Sequence, residues 1–220
     1  NKATTDVLLQ ISSKDPAPTS TQWQNVPGLE IVNTGVELGL TGVIIDKKGL
    51  RWDATFNAAH IKNNVQGLGT SIVTGAAAGQ GLSGTFVQLI ANDQPIGSFY
   101  GMVFEGFDSN GIGQYKKDAS GNVVKEFLGS ALPKITYSIS SSLKLKSFDA
   151  SIFWYGTQGN KVYNNTANAL FVKGTLDKSS NVRSDIATSS ESASNSNAFS
   201  SRFIEDGSFL RLANLTFGYT

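Results

Sequence analysis

Few of the 220 residues have the types and spacing that chemistry needs. The run Gly79-Gln80-Gly81-Leu82-Ser83-Gly84 matches the G-x-G-x-x-G pattern of dinucleotide binding, which requires a helix after it and an acidic residue about 20 positions on. The pattern from Thr85 to Ile90 continues instead as a strand, so these glycines are expected to form a loop or bulge. His60 is the only histidine and there is no cysteine, which leaves a metal site or a histidine-based triad without partners. It is expected at the end of a strand. Glu205 and Asp206 are adjacent, and neighbours in a strand point to opposite faces, so they cannot by themselves form a glycosidase pair. Pairing with a distant carboxylate stays open, and the expected role is a cap where the chain passes from a loop into a strand. Asp118-Ala119-Ser120-Gly121-Asn122 offers oxygen ligands, but its glycine is misplaced for a calcium loop and no glutamate closes one. A plain turn is expected, with calcium left open. The aromatics Phe99, Tyr100, Phe104 and Tyr115 sit in a long polar connection, where a ring can stack on a substrate or anchor the loop. No catalytic residue, metal or cofactor is expected, and the chain reads as a non-enzyme.

Composition agrees. With 18 basic and 17 acidic residues the net charge is +1, so nothing marks a nucleic-acid footprint or a polybasic membrane patch. No apolar run approaches the roughly 20 residues of a transmembrane helix, and Asn1 to Asp6 carries no signal pattern. Any membrane role must come through strands. The 23 glycines, 13 phenylalanines, six tyrosines and three tryptophans, with abundant Ser, Thr and Asn, favour an all-β chain.

The elements that would position these residues are strands. Val36, Leu38 and Leu40 alternate with Glu37, Gly39 and Thr41, a turn follows at Asp46 to Gly49, and Leu50, Trp52, Ala54, Phe56 and Ala58 alternate with Arg51, Asp53, Thr55, Asn57 and Ala59. This predicts a hairpin with two unlike faces. The pattern recurs at Ile135, Tyr137 and Ile139, and at Phe148, Ala150, Ile152 and Trp154, with a connection at Leu143 to Ser147. An opening strand at Thr4 to Ile11 and a closing one at Ser208 to Tyr219 complete about six long strands. Leu210 and Leu212 change parity to Leu215, Phe217 and Tyr219, which predicts a bulge near Ala213.

Tight turns follow one end of the strands and long polar segments the other: Ser12 to Asn33, Ile61 to Pro133 and Gly156 to Asp206. Structureless loops beyond roughly 15 residues are uncommon in compact domains, whereas transmembrane barrels pair short periplasmic turns with long extracellular loops. About 11 residues per tilted strand cover about 25 Å, the height of a lipid-facing band. The Ser-, Asn- and Ala-rich stretch Ser179 to Ser201 reads as a mobile loop.

The closing run FIEDGSFLRLANLTFGYT at 203–220 resembles the late-barrel signature of the SusC/RagA family of TonB-dependent transporters. KATTDVLL at 2–9, NTGVE at 33–37, WDATFN at 52–57, PIGSFYG at 95–101, LGSALP at 128–133 and GNKVYN at 159–164 fall in that family's order, so the resemblance covers essentially the whole chain. It implies an antiparallel transmembrane β-barrel segment, about six long strands of a 22-stranded barrel, in the outer membrane of a Bacteroidota-type bacterium. It implies uptake of glycans, oligosaccharides or peptides, a SusD-like lipoprotein closing the pore from outside, and energy delivered through TonB. Residues 1–220 are then expected to be part of the barrel only, with plug domain, TonB box, signal peptide and final strands absent, because six strands leave lipid-exposed edges costing several kcal/mol per unpaired group. In that setting the acceptor triplets Asn164-Asn165-Thr166 and Asn214-Leu215-Thr216 are idle. Glu37, Arg51, Asp53, Asn57, Thr136 and Asp149 would line the lumen, and the loop aromatics would meet substrate. The alternative is a soluble carbohydrate-binding β-sandwich, with Trp52 and Phe56 buried between two sheets. A β-sheet glycosidase stands third.

Overall fold

The computed structural model describes residues 1–12, 21–79, 81–178 and 181–220. Strands β1 (Lys2–Thr5), β2 (Leu8–Ser12), β3 (Thr21–Asn25), β4 (Glu30–Lys47) and β5 (Leu50–Gln66) open the chain. There follow β6 (Ile72–Ala76), β7 (Phe86–Ile90), β8 (Ser98–Met102), β9 (Phe104–Phe107), β10 (Gly113–Tyr115) and β11 (Lys125–Ser130). The chain returns through β12 (Ile135–Leu145), β13 (Phe148–Gln158) and β14 (Lys161–Tyr163), the short helices α1 (Asn165–Leu170) and α2 (Ser184–Ala187), then β15 (Ile204–Asp206) and β16 (Phe209–Tyr219).

Six of these strands form one antiparallel sheet, in the order β1-β4-β5-β12-β13-β16, which we call the wall. Antiparallel partners point to the same side, so the register decides what each face presents. Leu40, Phe56, Ile139, Trp154 and Leu212 lie in one cross-strand row, and Leu38, Ala58, Tyr137, Gly156 and Leu210 in the next. The result is a single apolar face across five strands, and it is not covered: Val36, Leu40, Phe148, Leu215, Phe217 and Tyr219 are each more than half exposed. Trp52 is 36 % exposed, and Phe56, Tyr137, Ile152 and Trp154 are partly exposed. The sandwich, which would bury Trp52 and Phe56, is therefore not the fold. Trp52 Nε1 donates to Ser141 Oγ at 2.8 Å on this face, satisfying the one polar atom the indole brings. Tyr137 lies across Gly156, where a Cβ would stand 2.7 Å from the phenol ring. The glycine makes room for the ring.

Three expectations change. The opening strand is two strands, because Asp6 adopts φ 49 and kinks the chain; β1 joins the wall while β2 leaves it to pair with β3. Strands β4 and β5 are 18 and 17 residues, not about 11, and so rise beyond a lipid band of about 25 Å. The turn between β12 and β13 is only Lys146-Ser147, since both strands pair to Leu145 and Phe148. The bulge near Ala213 is present: Phe153 faces Asn214 and Trp154 faces Leu212, leaving Ala213 unopposed. A second bulge, between Val43 and Ile45, was not anticipated.

The long connections are not structureless. They fold into a crown of small sheets: β2-β3, the four-stranded β11-β8-β7-β6, β9-β10 and β14-β15. Residues 13–20 of the first connection and Ser179 and Ser180 of the last lie outside the described residues, as does Gln80 of the glycine run. The crown holds the buried hydrophobic clusters. Leu29, Val65, Leu68 and Ile90 form one, against which Leu9, Ile31 and Ile72 pack, and Val87, Phe99 and Phe199 form another. Phe199 lies on Gly101, where a Cβ would stand 2.4 Å from the ring. Among the described residues no helix is long and apolar enough to cross a membrane, which says nothing of strands.

Candidate functional site

The wall's other face is polar, and all six residues expected on it share it. Glu37 pairs with Ala59, which pairs in turn with Thr136; Asn57 pairs with Ser138, Asp53 with Ser142, Arg51 with Lys144, and Lys144 with Asp149. Arg51 grips Asp53 at 3.0 Å and lies 3.7 Å from Asp46. The hydroxyls of Thr41 and Thr55 meet at 3.1 Å, and Asn57 Nδ2 donates to Ser138 Oγ at 3.4 Å. These exposed, mutually bonded groups make a hydrated surface that can exchange hydrogen bonds with water or a polar solute.

The crown folds over this same polar face. Val65, Asn63 and Ile61 share the parity of Ala59 on β5, and the crown meets them there: Asn63 Oδ1 accepts from the Ile96 amide at 2.8 Å, and Val65 belongs to the first apolar cluster. Asn63 Nδ2 also donates to Asn33 Oδ1 at 2.8 Å, tying β5 to β4.

The four loop aromatics separate on inspection. Phe99 is 4 % exposed within the second cluster, so its ring supports the crown rather than facing solvent. Tyr100 is partly exposed and tilts against Phe127, with ring centroids 5.1 Å apart. Phe104 meets Phe107 edge-on at 5.2 Å and Tyr115 at 5.8 Å. Burial raises the pKa of the Tyr115 hydroxyl above its usual value. The Arg202 guanidinium stacks over Phe104, Phe107 and Phe203 at 5.6, 5.1 and 5.2 Å, and it binds Glu191 through two hydrogen bonds of 2.8 and 2.7 Å. The Glu191 side chain is 1 % exposed. Sequence reasoning missed this buried pair. Its signal was available: Glu191 is the only charged residue in the Ser- and Asn-rich stretch 186–201. Far from being loose, that stretch buries Glu191, Asn197, Phe199 and Ser200, and Asn195 bonds both the Gly113 amide at 3.1 Å and the Gly111 carbonyl at 2.8 Å.

The remaining candidates are structural in their placement. His60 lies within β5, opposite Val36 and Ile135, not at a strand end. Gly81 and Gly84 precede the strand β7 and no helix follows them. Asp118 accepts from the amides of Ser120 and Asn122, both at 2.9 Å; these bonds, led by that of Asn122, hold its pKa below the usual carboxylate value. Glu205 accepts from Asn164 Nδ2 at 2.7 Å. Asp206 accepts from the Ser208 amide at 2.8 Å and lies 3.7 Å from Lys161; hydrogen bonds from Ser208 come first in lowering its pKa. Among the described residues no group of three His, Cys, Asp or Glu side chains stands together as a metal site.

No family model matches the chain. The TonB-dependent receptors P3 and P26 of Formosa agariphila are 27 % and 26 % identical to it, over 98 % and 99 % of this chain. Two solved structures, of the RagAB peptide transporter and of the RagAB peptide importer in its open-open state, superpose on 99 % of the chain with TM-scores of 0.74 and 0.75, at 22 % and 20 % identity. The chain is thus similar in sequence to these TonB-dependent receptors and shares the fold of the matching part of the RagAB transporter. Its fold is accordingly that of an antiparallel transmembrane β-barrel wall with its loops. The chain spans about a quarter of the length of the curated relatives and of the solved chains it matches.

Proposed function

We propose that the chain forms part of the wall and loop crown of an outer-membrane pore for TonB-dependent uptake of glycans, oligosaccharides or peptides. The observation that carries this reading is the inverted distribution of apolar residues. Across five adjoining strands they face outward uncovered, as a lipid-facing surface requires, while the buried apolar clusters sit in the loops. The relatives named TonB-dependent receptors support active uptake, and the RagAB structures, described as a peptide transporter, support peptide among the substrate classes.

On this reading Glu37, Arg51, Asp53, Asn57, Thr136 and Asp149 line a hydrated lumen, and the pore makes and breaks no bond. Tyr100, Phe104 and Tyr115 are the loop aromatics that would meet a solute, while Phe99 packs with Val87 and Phe199 in the crown's interior. A SusD-like lipoprotein closes the pore from outside, TonB supplies energy through the rest of the receptor, and no cofactor or nucleic acid takes part. The apolar face contacts the bilayer.

The test uses the absence of cysteine from these 220 residues, which makes every introduced thiol unique among them. Cysteines placed singly at Leu38, Ile139 and Leu215 should react with a bilayer-soluble maleimide, and those at Glu37, Thr55 and Ser140 with a charged, water-borne reagent. Equal water-borne labelling of both sets would overturn the proposal.

A further inference from the structure

The four-stranded sheet of the crown, β11-β8-β7-β6, has two ends that are treated differently. Exposed strand edges invite pairing with other chains, and proteins blunt them with charges, prolines or bulges. Strand β11 follows that rule: it carries Lys125 and Glu126 and breaks register between Phe127 and Gly129. Strand β6 does not. The run Ser71 to Ala76 reads Ser-Ile-Val-Thr-Gly-Ala, with no charge and no proline, and among the described residues it pairs with β7 alone. Alternate N–H and C=O groups of this strand therefore point away from the sheet.

They point into a cleft of about 560 Å³. All six residues from Ser71 to Ala76 line it, and because successive side chains of a strand leave on opposite faces, a cavity touching both parities lies against the strand's edge. The opposite wall is the β2-β3 ribbon, through Leu9, Ile11 and Trp23. Trp23 is 67 %, Val73 57 % and Phe86 46 % exposed. Among the described residues no charged side chain lines the cleft. Ile90, Leu9 and Ile72, which line it, belong to or pack against the apolar cluster that also holds Val65 of β5.

We propose that β6 is a docking edge for a peptide in transit, which binds in extended form as an added strand. This deepens the uptake reading and rests on it. The main chain supplies the donors and acceptors that the edge lacks, at the strand's own spacing, and the five-residue strand holds about five residues of guest. Trp23, Val73 and Phe86 offer apolar contact to its alternate side chains, and the uncharged side chains described along the cleft favour an uncharged stretch. Recognition through the main chain tolerates many sequences, which suits a nutrient importer.

The experiment is hydrogen exchange at residues 71–76 of the intact receptor. Three probes are compared: an acetylated, amidated hexapeptide of alternating Thr and Val, its fully N-methylated copy, and a neutral hexasaccharide. The first should slow exchange of alternate β6 amides at least tenfold, and the other two should leave it unchanged. Of the two variants Val73→Pro and Thr74→Pro, one removes an N–H facing β7 and the other an N–H facing the cleft; the second kind should lose the slowing while β7 stays protected. Protection without any peptide would mean that the receptor's own chain fills the edge, and would overturn the proposal, as would equal slowing by the N-methylated copy or the saccharide, or no slowing at all. If thiol labelling of the wall still shows two unlike faces, only this inference falls and the uptake reading stands.

Discussion

The wall and the crown are built from the same strand grammar but put their apolar residues in opposite places. In the wall, Leu40, Leu215 and Phe217 are 56 %, 52 % and 76 % exposed; in the crown, Leu82 and Val172 are at most 1 % exposed. The wall has no interior of its own and takes its stability from backbone pairing and from whatever apolar medium covers it. The crown stands in water and must bury apolar surface as any soluble domain does. The same substitution should therefore have opposite consequences on the two sides of the water boundary.

The largest effect is expected in the crown. Arg202→Ala leaves the Glu191 carboxylate buried without its partner, a loss of about 3–5 kcal/mol by the behaviour of broken buried pairs. Hydrogen exchange should speed up across residues 188–203 and leave β12 and β13 protected. Loss of protection in both regions would mean that crown and wall unfold as one unit, and the comparison would fail. Next comes Ile139→Arg, near the middle of β12 on the apolar face, expected to cost about 2–4 kcal/mol in reversible unfolding from lipid vesicles. Ser138→Arg, one residue away on the polar face, should cost under about 1 kcal/mol. Similar costs for both would remove the two-faced wall.

Smaller effects sharpen the contrast. Gly101→Ala in the crown pushes a Cβ into the Phe199 ring, and Gly156→Ala in the wall pushes one into the Phe209 carbonyl oxygen and the Tyr137 ring. Each should lose about 1–3 kcal/mol by overpacking. The first should show as a lowered crown melting transition, the second as a lowered wall transition. The smallest effect is on pH. Asp118 and Asp206 have pKa values depressed by folding, so the stability they contribute is complete above the unfolded value of about 3.9 and is lost as pH falls through the lower folded values. Both are fully exposed, and the loosening should be confined to the turns at 116–124 and 204–208, seen as faster proteolysis there at pH 3 than at pH 6.

The wall was legible in the sequence because its alternation is uninterrupted from Leu50 to Ala58, and the bulge at Ala213 because the apolar parity visibly changes between Leu212 and Leu215. The other bulge was hidden: Val43, Ile44 and Ile45 are all apolar, so a shift of parity there leaves no trace. The break at Asp6 was also missed, since a left-handed aspartate is set by tertiary contacts such as the bond from the Gly28 amide to its carboxylate at 3.2 Å. The crown was read as loops because its strands are three to six residues long, too short to show a period, and its clusters join distant segments, as Phe199 joins Val87 and Phe99. Of the site, the polar face followed from parity alone. The exposure of each loop aromatic did not, because packing decides whether a ring such as Phe99 faces water or a core.

Ala213 has a consequence for how such a wall can change over generations. Deleting one residue from a strand normally turns every following side chain to the wrong side, which in a wall means charge toward lipid and leucine toward water. Removing Ala213 would do the reverse: Leu212 and Asn214 already oppose Trp154 and Phe153 in unbroken succession, so the ladder would close with all faces kept. The strand carries a spare position, and a lineage can lose it, keeping the reading frame of the wall while altering its local twist.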